Sequence, residues 1–309
     1  MVTTAWDGVF SHPTCTTLQN EARAVGLGHR VFQPANQPRT HLEAALRSVL
    51  LELNDKSNFV EYWTRQPWKH IEAHADVDEK LAGQTGELRY PQHGHVLYLA
   101  VGSRVRGPTC VFDATRGSEL AARRSASTTD GSSTETDERT LTIVPAVRGR
   151  LLRFNGSLVH AVPAPTDRWL TPFAKSTPVS PEADWQRVVV LFNTWPAAPP
   201  LGVETEPPEL HVPAHGARSG YVDDVCAPFS AWRSVRVGGA AALPGAEEDT
   251  AACEADSKGS GSVTAKVWLL GDEHRRGQAS RTVQLRAPSN IGEALAQEHA
   301  AMRLTLHAL

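Results

Sequence analysis

Residues 70–79 read HIEAHADVDE. His74 and Asp76 stand two apart, and on a β-strand two such residues share one face. An imidazole and a carboxylate placed in this way need one more distant imidazole to hold a divalent metal from one side. The remaining coordination positions then stay open. The pair alone is weak evidence. The chain carries 13 histidines, so a chance H-x-D match is expected, and a solvated surface strand explains it as well. His70 and Glu72 form a second pair two residues earlier, on the same face of a regular strand, where supporting or rim positions suit them.

Two later segments supply what the pair lacks. In GRLLRFNGSLVHAVP, residues 149–163, an apolar strand with Leu151, Leu152 and Phe154 enters a turn at Asn155-Gly156 and then reaches His160. In WQRVVVLFNTWP, residues 185–196, Arg187 opens a near-continuous apolar run. A guanidinium at the end of a buried element needs an anionic partner, and its planar fork suits a carboxylate.

The surrounding pattern says which elements hold these residues. Thr40 followed by Glu43 is a capping-box signature. Leu42, Ala45, Leu46, Val49, Leu50 and Leu53 recur behind it at helical spacing, which predicts an amphipathic helix over Thr40–Leu53 with a sheet face as partner. Strand-like runs follow at Phe59–Trp63, Ile71–Val77, His95–Val101, Thr109–Phe112, Leu141–Val144, Leu151–Phe154 and Val188–Trp195. Their spacing, with turn residues between, predicts an antiparallel sandwich or barrel. Residues 1–38 are mixed, with Gly26, Gly28, Pro34 and Pro38 breaking any long element.

Residues 116–139 are rich in Ser, Thr and charge and predict a flexible insertion between strands. A proline-rich stretch spans 163–184, and 196–260 reads mostly as loop. Two further strands are expected at Thr264–Leu270 and Arg281–Arg286, then a short helix from Asn290 to about Ala300. That tail either completes an outer sheet or forms an appendage.

Composition narrows the function. A net charge of −3 offers no global basic field for nucleic acid or an anionic membrane. No stretch approaches the roughly 20 apolar residues of a membrane span. Four scattered cysteines contain no C-x-x-C pair, which argues against a zinc knuckle and for reduced thiols in a cytoplasmic protein. His93-Gly94-His95 suggests a cupin metal site, but the expected Glu is missing and position 99 is Leu. Trp63, Arg65 and Trp68 flank the metal segment as core, rim or substrate mouth. Asp78 and Glu79 are expected to face solvent or cap a turn, and His41 with Glu43 to be solvated.

The order H-x-D, then Y-L in HVLYLA (residues 95–100), G-P-T-x-V-F (107–112), R-L-L-x-F-x-G-x-x-x-H (150–160) and R-V-V-V-L-F-N-x-W (187–195) resembles the Fe(II)/2-oxoglutarate-dependent dioxygenase superfamily. It is nearest to the prolyl-hydroxylase-like branch. VEYWTRQPWKHIEAHADVDE is similar to plant and algal members. The resemblance covers about residues 58–196.

It implies a mainly β fold with flanking helices and a double-stranded β-helix (jelly-roll) core over 58–196. Residues 1–57 would give helical support, and 197–309 an extension packed on the core. It implies His74, Asp76 and His160 as iron ligands, in preference to His70 and Glu72. Arg187 and Tyr98 would bind the distal carboxylate of 2-oxoglutarate. The gap from His160 to Arg187 is longer than the family's usual one, which leaves Arg168 as a rival. The implied chemistry uses Fe(II), 2-oxoglutarate and O2, with ascorbate as a candidate reductant. It hydroxylates a small molecule or a protein side chain and releases succinate and CO2. The alternatives are a jelly-roll binding or scaffold protein and a cupin-like metal enzyme independent of 2-oxoglutarate.

Overall fold

The computed structural model describes residues 3–25, 28–66, 71–102, 107–113, 139–162, 186–203, 226–238, 262–269, 281–288 and 301–308. Residues 116–138 of the expected insertion, the proline-rich stretch 163–184, Arg168, Trp68, His70 and the helix expected at 290–300 lie outside them.

In chain order the elements are β1 (Thr4–Asp7), α1 (His12–Val25), β2 (Arg30–Phe32), α2 (His41–Glu52), β3 (Phe59–Arg65), β4 (Ile71–His74), α3 (Glu79–Thr85), β5 (His93–Val101), β6 (Thr109–Phe112), β7 (Arg139–Val144) and β8 (Leu151–Asn155). Then come β9 (His160–Val162), β10 (Arg187–Trp195), a 3-10 turn at Phe229–Ala231, β11 (Arg233–Ser234), β12 (Val237–Gly238), β13 (Ser262–Leu269), β14 (Arg281–Pro288) and β15 (Ala301–Ala308). The described chain is mainly β with few helices, as expected.

The strands form two sheets. One has the order β11-β1-β8-β5-β10-β3-β2, the other β12-β15-β14-β13-β4-β9-β6-β7. All pairings in the first are antiparallel. Period-2 alternation assigns its faces. Leu97, Leu99, Leu151, Val188, Val190 and Phe192 pack against α1 and α2. Val96, Tyr98, Leu152, Phe154, Val189 and Leu191 pack with Val111 and Val144 of the second sheet. With both faces covered, all nine residues of β10 are buried. That is why its sequence is a continuous apolar run and not an alternating one.

Helix α2 starts where its cap signature predicts. Thr40 is extended, and its side-chain oxygen accepts from the Glu43 amide at 3.1 Å. The Glu43 carboxylate reaches back to the Arg39 amide at 2.8 Å, one residue before the cap. Glu43 is therefore buried and not solvated. It also meets the Arg39 guanidinium at 2.8 Å and accepts from the Tyr62 hydroxyl at 3.4 Å.

One expectation needs correction. Residues 1–38 hold a 14-residue helix, α1. Cys15, Leu18 and Ala22 are its buried stripe, and the expected breakers Gly26 and Gly28 fall past its end. Asp78 takes the second of its two expected roles and caps a turn, accepting from the Leu81 amide at 3.0 Å at the start of α3, where it is fully buried against Arg89. Within the stretch expected to be mostly loop, two two-residue strands form, β11 pairing with β1 and β12 with β15.

The tail joins the second sheet. β13 lies beside β4, β14 pairs with β13 and β15, and β15 pairs with β7. The pairings β13-β14-β15-β7-β6-β9-β4-β13 thus run in a closed ring. No helix among the described residues is long and apolar enough to cross a membrane. Cys15 and Cys110 are buried free thiols.

Candidate metal centre

Antiparallel register builds the first half of the site. His74 ends β4 and His160 opens β9, directly opposite each other. Side chains at such positions meet, and the two rings lie 4.5 Å apart. β4 ends at His74 and does not extend to Val77, so Asp76 is not held by a strand. Asn193 of β10 fixes it instead, its amide donating to Asp76 Oδ2 at 3.2 Å. Asp76 Oδ1 lies 3.5 Å from His74 Nε2, and Oδ2 lies 3.7 Å from His160 Nε2. One ligand atom from each of the three residues falls within 4.8 Å of the others.

The surroundings set the protonation states. His160 Nδ1 faces the Leu158 carbonyl at 3.2 Å and must donate to it, which leaves the Nε2 lone pair turned toward Asp76. Burial pulls the His160 pKa down to about 4, with Asp76 opposing. The ring is therefore neutral at pH 7, with its Nε2 lone pair free of a proton. Burial alone would raise the Asp76 pKa. The His160 and His74 imidazoles and the Asn193 amide outweigh it and hold the carboxyl well below the usual range. Two imidazoles and one carboxylate are a donor set for a first-row divalent ion, bound from one side. The Phe154 ring leans on His160 at 4.9 Å. It can do so because position 94 is Gly: a Cβ there would lie 2.8 Å from that ring.

A second constellation stands farther along β10. Arg187 is 3% exposed. Its Nε donates to the Gly107 carbonyl at 3.0 Å and its Nη2 to Thr109 Oγ1 at 3.1 Å. The Tyr98 hydroxyl shares a 2.6 Å hydrogen bond with the same Thr109 oxygen, and the guanidinium carbon lies 5.1 Å from the Tyr98 ring centre. Burial lowers the Arg187 pKa, with Tyr98 opposing. Every one of these partners is neutral, and among the described residues no carboxylate pairs with Arg187. A buried cation without a counter-charge is an anion-binding position.

The structure thus gathers His74, Asp76 and His160 at one place and Arg187 with Tyr98 at another, both facing the space between the sheets. Two residues of the arrangement were not anticipated, Asn193 and Thr109. Thr109 stood in the quoted G-P-T segment without a role, and a lone Asn in an apolar strand gives no signal of its function. His93 and His95 do not join the metal group. His93 and Arg153 bind the buried Asp55 at 3.2 and 2.7 Å, and His95 stacks on Phe192 at 4.2 Å on the helix side. Away from the triad, a cleft of about 500 Å³ is lined by Trp6, His93, Arg153 and Phe229.

No family model matches the chain, and no curated protein matches it. Among solved structures it is similar to a prolyl-4-hydroxylase of Pseudomonas putida, at 13% identity over 63% of this chain and 85% of that one, with a TM-score of 0.36. HygX of Streptomyces hygroscopicus, solved with nickel and 2-oxoglutarate, shows 19% identity over 63% and 82%, TM-score 0.35. EctD of S. alaskensis shows 15% over 70% and 79%, TM-score 0.34. At these scores the likeness is faint, and the functional reading stands on the residues of the site.

Proposed function

We propose that this chain is a non-haem Fe(II)- and 2-oxoglutarate-dependent oxygenase of the prolyl-hydroxylase-like kind, acting on a small molecule or a protein side chain. One observation carries the reading. A convergent His74-Asp76-His160 donor set shares an inter-sheet space with a buried, counter-charge-free Arg187. The strand orders support it. The central strands β8-β5-β10-β3 face β7-β6-β9-β4, and from β3 to β10 successive strands alternate between the sheets except at the β6–β7 hairpin, the connectivity of a double-stranded β-helix. A cupin-like enzyme without 2-oxoglutarate would have no use for Arg187, Thr109 and Tyr98 as a carboxylate clamp.

His74, Asp76 and His160 would hold the metal. Bound there with 2-oxoglutarate and O2, it supplies an oxidant strong enough for a C–H bond, with succinate and CO2 as co-products. The chain's part is positional. Leu158 fixes the His160 tautomer and Asn193 fixes the Asp76 carboxylate. Arg187, with Thr109 and Tyr98, binds the far carboxylate of the co-substrate and so sets its direction. The buried β5 and β10 surfaces keep water from the clamp.

The test is anaerobic. Fe(II) and then 2-oxoglutarate are added to the metal-free protein, and the weak visible charge-transfer band of the chelate is followed in wild type and His74→Ala. A band in the first and none in the second is expected. Iron bound without a band would turn the reading to a metal enzyme independent of 2-oxoglutarate. No iron bound would turn it to a non-catalytic jelly roll.

A further inference from the structure

Strand β3 lies beside β10, and its inward residues alternate as Glu61, Trp63 and Arg65, opposite Asn193, Leu191 and Val189. These three rows run from the Asp76 end of the site toward the Arg187 end. Glu61 is already taken up: it accepts from His29 at 2.7 Å and from the Trp195 indole at 3.2 Å. Trp63 is 6% exposed and packs between the sheets with Val189 and Leu191, while His29 stacks on it at 4.4 Å. Its indole N–H is buried and meets no acceptor among the described residues. A buried donor left unpaired costs about 1–3 kcal/mol, so an acceptor belongs there.

Arg65 is the exposed end of this wall. It stands in the same row as Val189 and Tyr98, two strands from Tyr98, or about 10 Å at the usual strand spacing. It continues the inward row of Glu61 and Trp63, so it stands on the face turned to the space between metal triad and clamp. Among the described residues it pairs with no carboxylate. Arg187, fully buried, answers the co-substrate. Arg65 is a second, accessible cation on the open side of the same space.

We infer that the primary substrate carries an oxyanion, and that Arg65, with the Trp63 indole N–H, receives it. The inference rests on the oxygenase reading above and adds a substrate class to it. An oxyanion satisfies both groups together: the guanidinium fork takes two oxygens, and the indole supplies a third donor. A neutral substrate could offer the Trp63 donor an acceptor, but neither it nor a cationic one would set a counter-charge against Arg65. Arg65 would act as a specificity residue and not as part of the metal or co-substrate machinery.

The test uses a matched pair of probes, phenylacetate and phenylacetamide, which differ in charge and little in shape. Each is titrated into the full chain saturated with Zn(II) and 2-oxoglutarate, with tryptophan emission as the readout. Wild type, Arg65→Gln, Arg65→Lys and Arg187→Gln are compared. Wild type is expected to prefer phenylacetate at least tenfold. The preference should vanish in Arg65→Gln, return in part in Arg65→Lys, and persist in Arg187→Gln. The midpoint for 2-oxoglutarate, read from the Fe(II) chelate band, should shift less than twofold in Arg65→Gln.

Equal binding of the two probes by wild type, or binding of neither, would overturn the inference. So would a loss of 2-oxoglutarate affinity in Arg65→Gln as large as in Arg187→Gln, which would make Arg65 a co-substrate residue. Failure of the oxygenase reading shows separately, as absence of the chelate band in wild type. The carboxylate preference is still measured in that case.

Discussion

Arg187 is the residue whose neighbourhood asks most plainly for a ligand. Its hydrogen bonds go to a carbonyl and a hydroxyl, and no described carboxylate balances it. Replacing it with Ala is expected to raise the 2-oxoglutarate concentration needed for half-saturation by 100-fold or more, since truncating one partner of a buried charge pair costs about 2–5 kcal/mol. Arg187→Lys should recover only part, because an ammonium cannot repeat the bidentate fork. Titration of the anaerobic Fe(II) protein reads both values. An unchanged requirement in Arg187→Ala would pass the role to Arg168 or to another cation. The grouping of His74, Asp76 and His160 was legible because their residue types and order point to one chemistry. Asn193 and Thr109 were not, because a hydrogen bond to Asp76 or Arg187 depends on register across β10, which no local pattern records.

At the scale of elements, legibility followed burial. Helix α2 carries a cap and a full apolar stripe, and both were readable to within a residue. Helix α3 has no buried residue, so no stripe betrays it. Its marks are the Asp78 cap and Gly86 at a φ of 76°, a C-terminal signature that is easily lost among polar neighbours. The strands were found with ends displaced by a few residues. One such displacement matters, since β4 stops at His74 and leaves Asp76 to Asn193. The pairing of β5 with β8 brings Gly94 opposite Phe154, and Phe154 in turn supports His160. Gly94→Ala is expected to push that ring aside. Melting temperature should fall by several degrees, in line with about 1–3 kcal/mol for overpacking. Metal affinity should fall by about tenfold, the lower end of effects on residues that orient ligands. Calorimetry and a competitive metal titration measure the two. A stable variant with unchanged metal affinity would show that Phe154 does not position His160.

For the whole molecule, buried acids set the pH limits. Asp55 is almost fully buried between Arg153 and His93. Burial alone would raise its pKa, but hydrogen bonds from His93 and Ser57 outweigh it and hold the group well below the usual carboxylate value. A depressed folded-state pKa contributes stability that is present above the unfolded value, about 4, and lost as pH falls toward the folded one. Asp55→Asn should therefore be less stable than wild type by about 3 kcal/mol at pH 7, and the gap should narrow below pH 4. Urea denaturation at pH 7, 4 and 3 measures it. A gap that stays constant would mean that the Asp55 carboxyl titrates alike in the folded and unfolded chain, so that packing and not charge is lost.

The C-terminal strands bear on the same stability. Inward residues of β6, β7 and β9 are Thr109, Val111, Val144 and His160, so Cys110, Phe112, Leu141, Ile143 and Ala161 point the other way. All five are buried, and they belong to neither the helix-side cluster nor the one between the sheets. The ring of pairings places β13, β14 and β15 on that side and covers the edges of both β4 and β7. Without them a row of apolar side chains and two strand edges would meet water, the conditions under which sheets aggregate. A chain ending at Gly238 is therefore expected to lose its cooperative thermal transition and to associate, as light scattering would show. The Fe(II)–2-oxoglutarate band should be lost with it, since β4 and β9 carry two of the three proposed ligands. A truncated chain that stays monomeric and keeps the band would make residues 239–309 an appendage. Their closure of the ring would then be dispensable to the site, and the core from β3 to β10 would stand by itself.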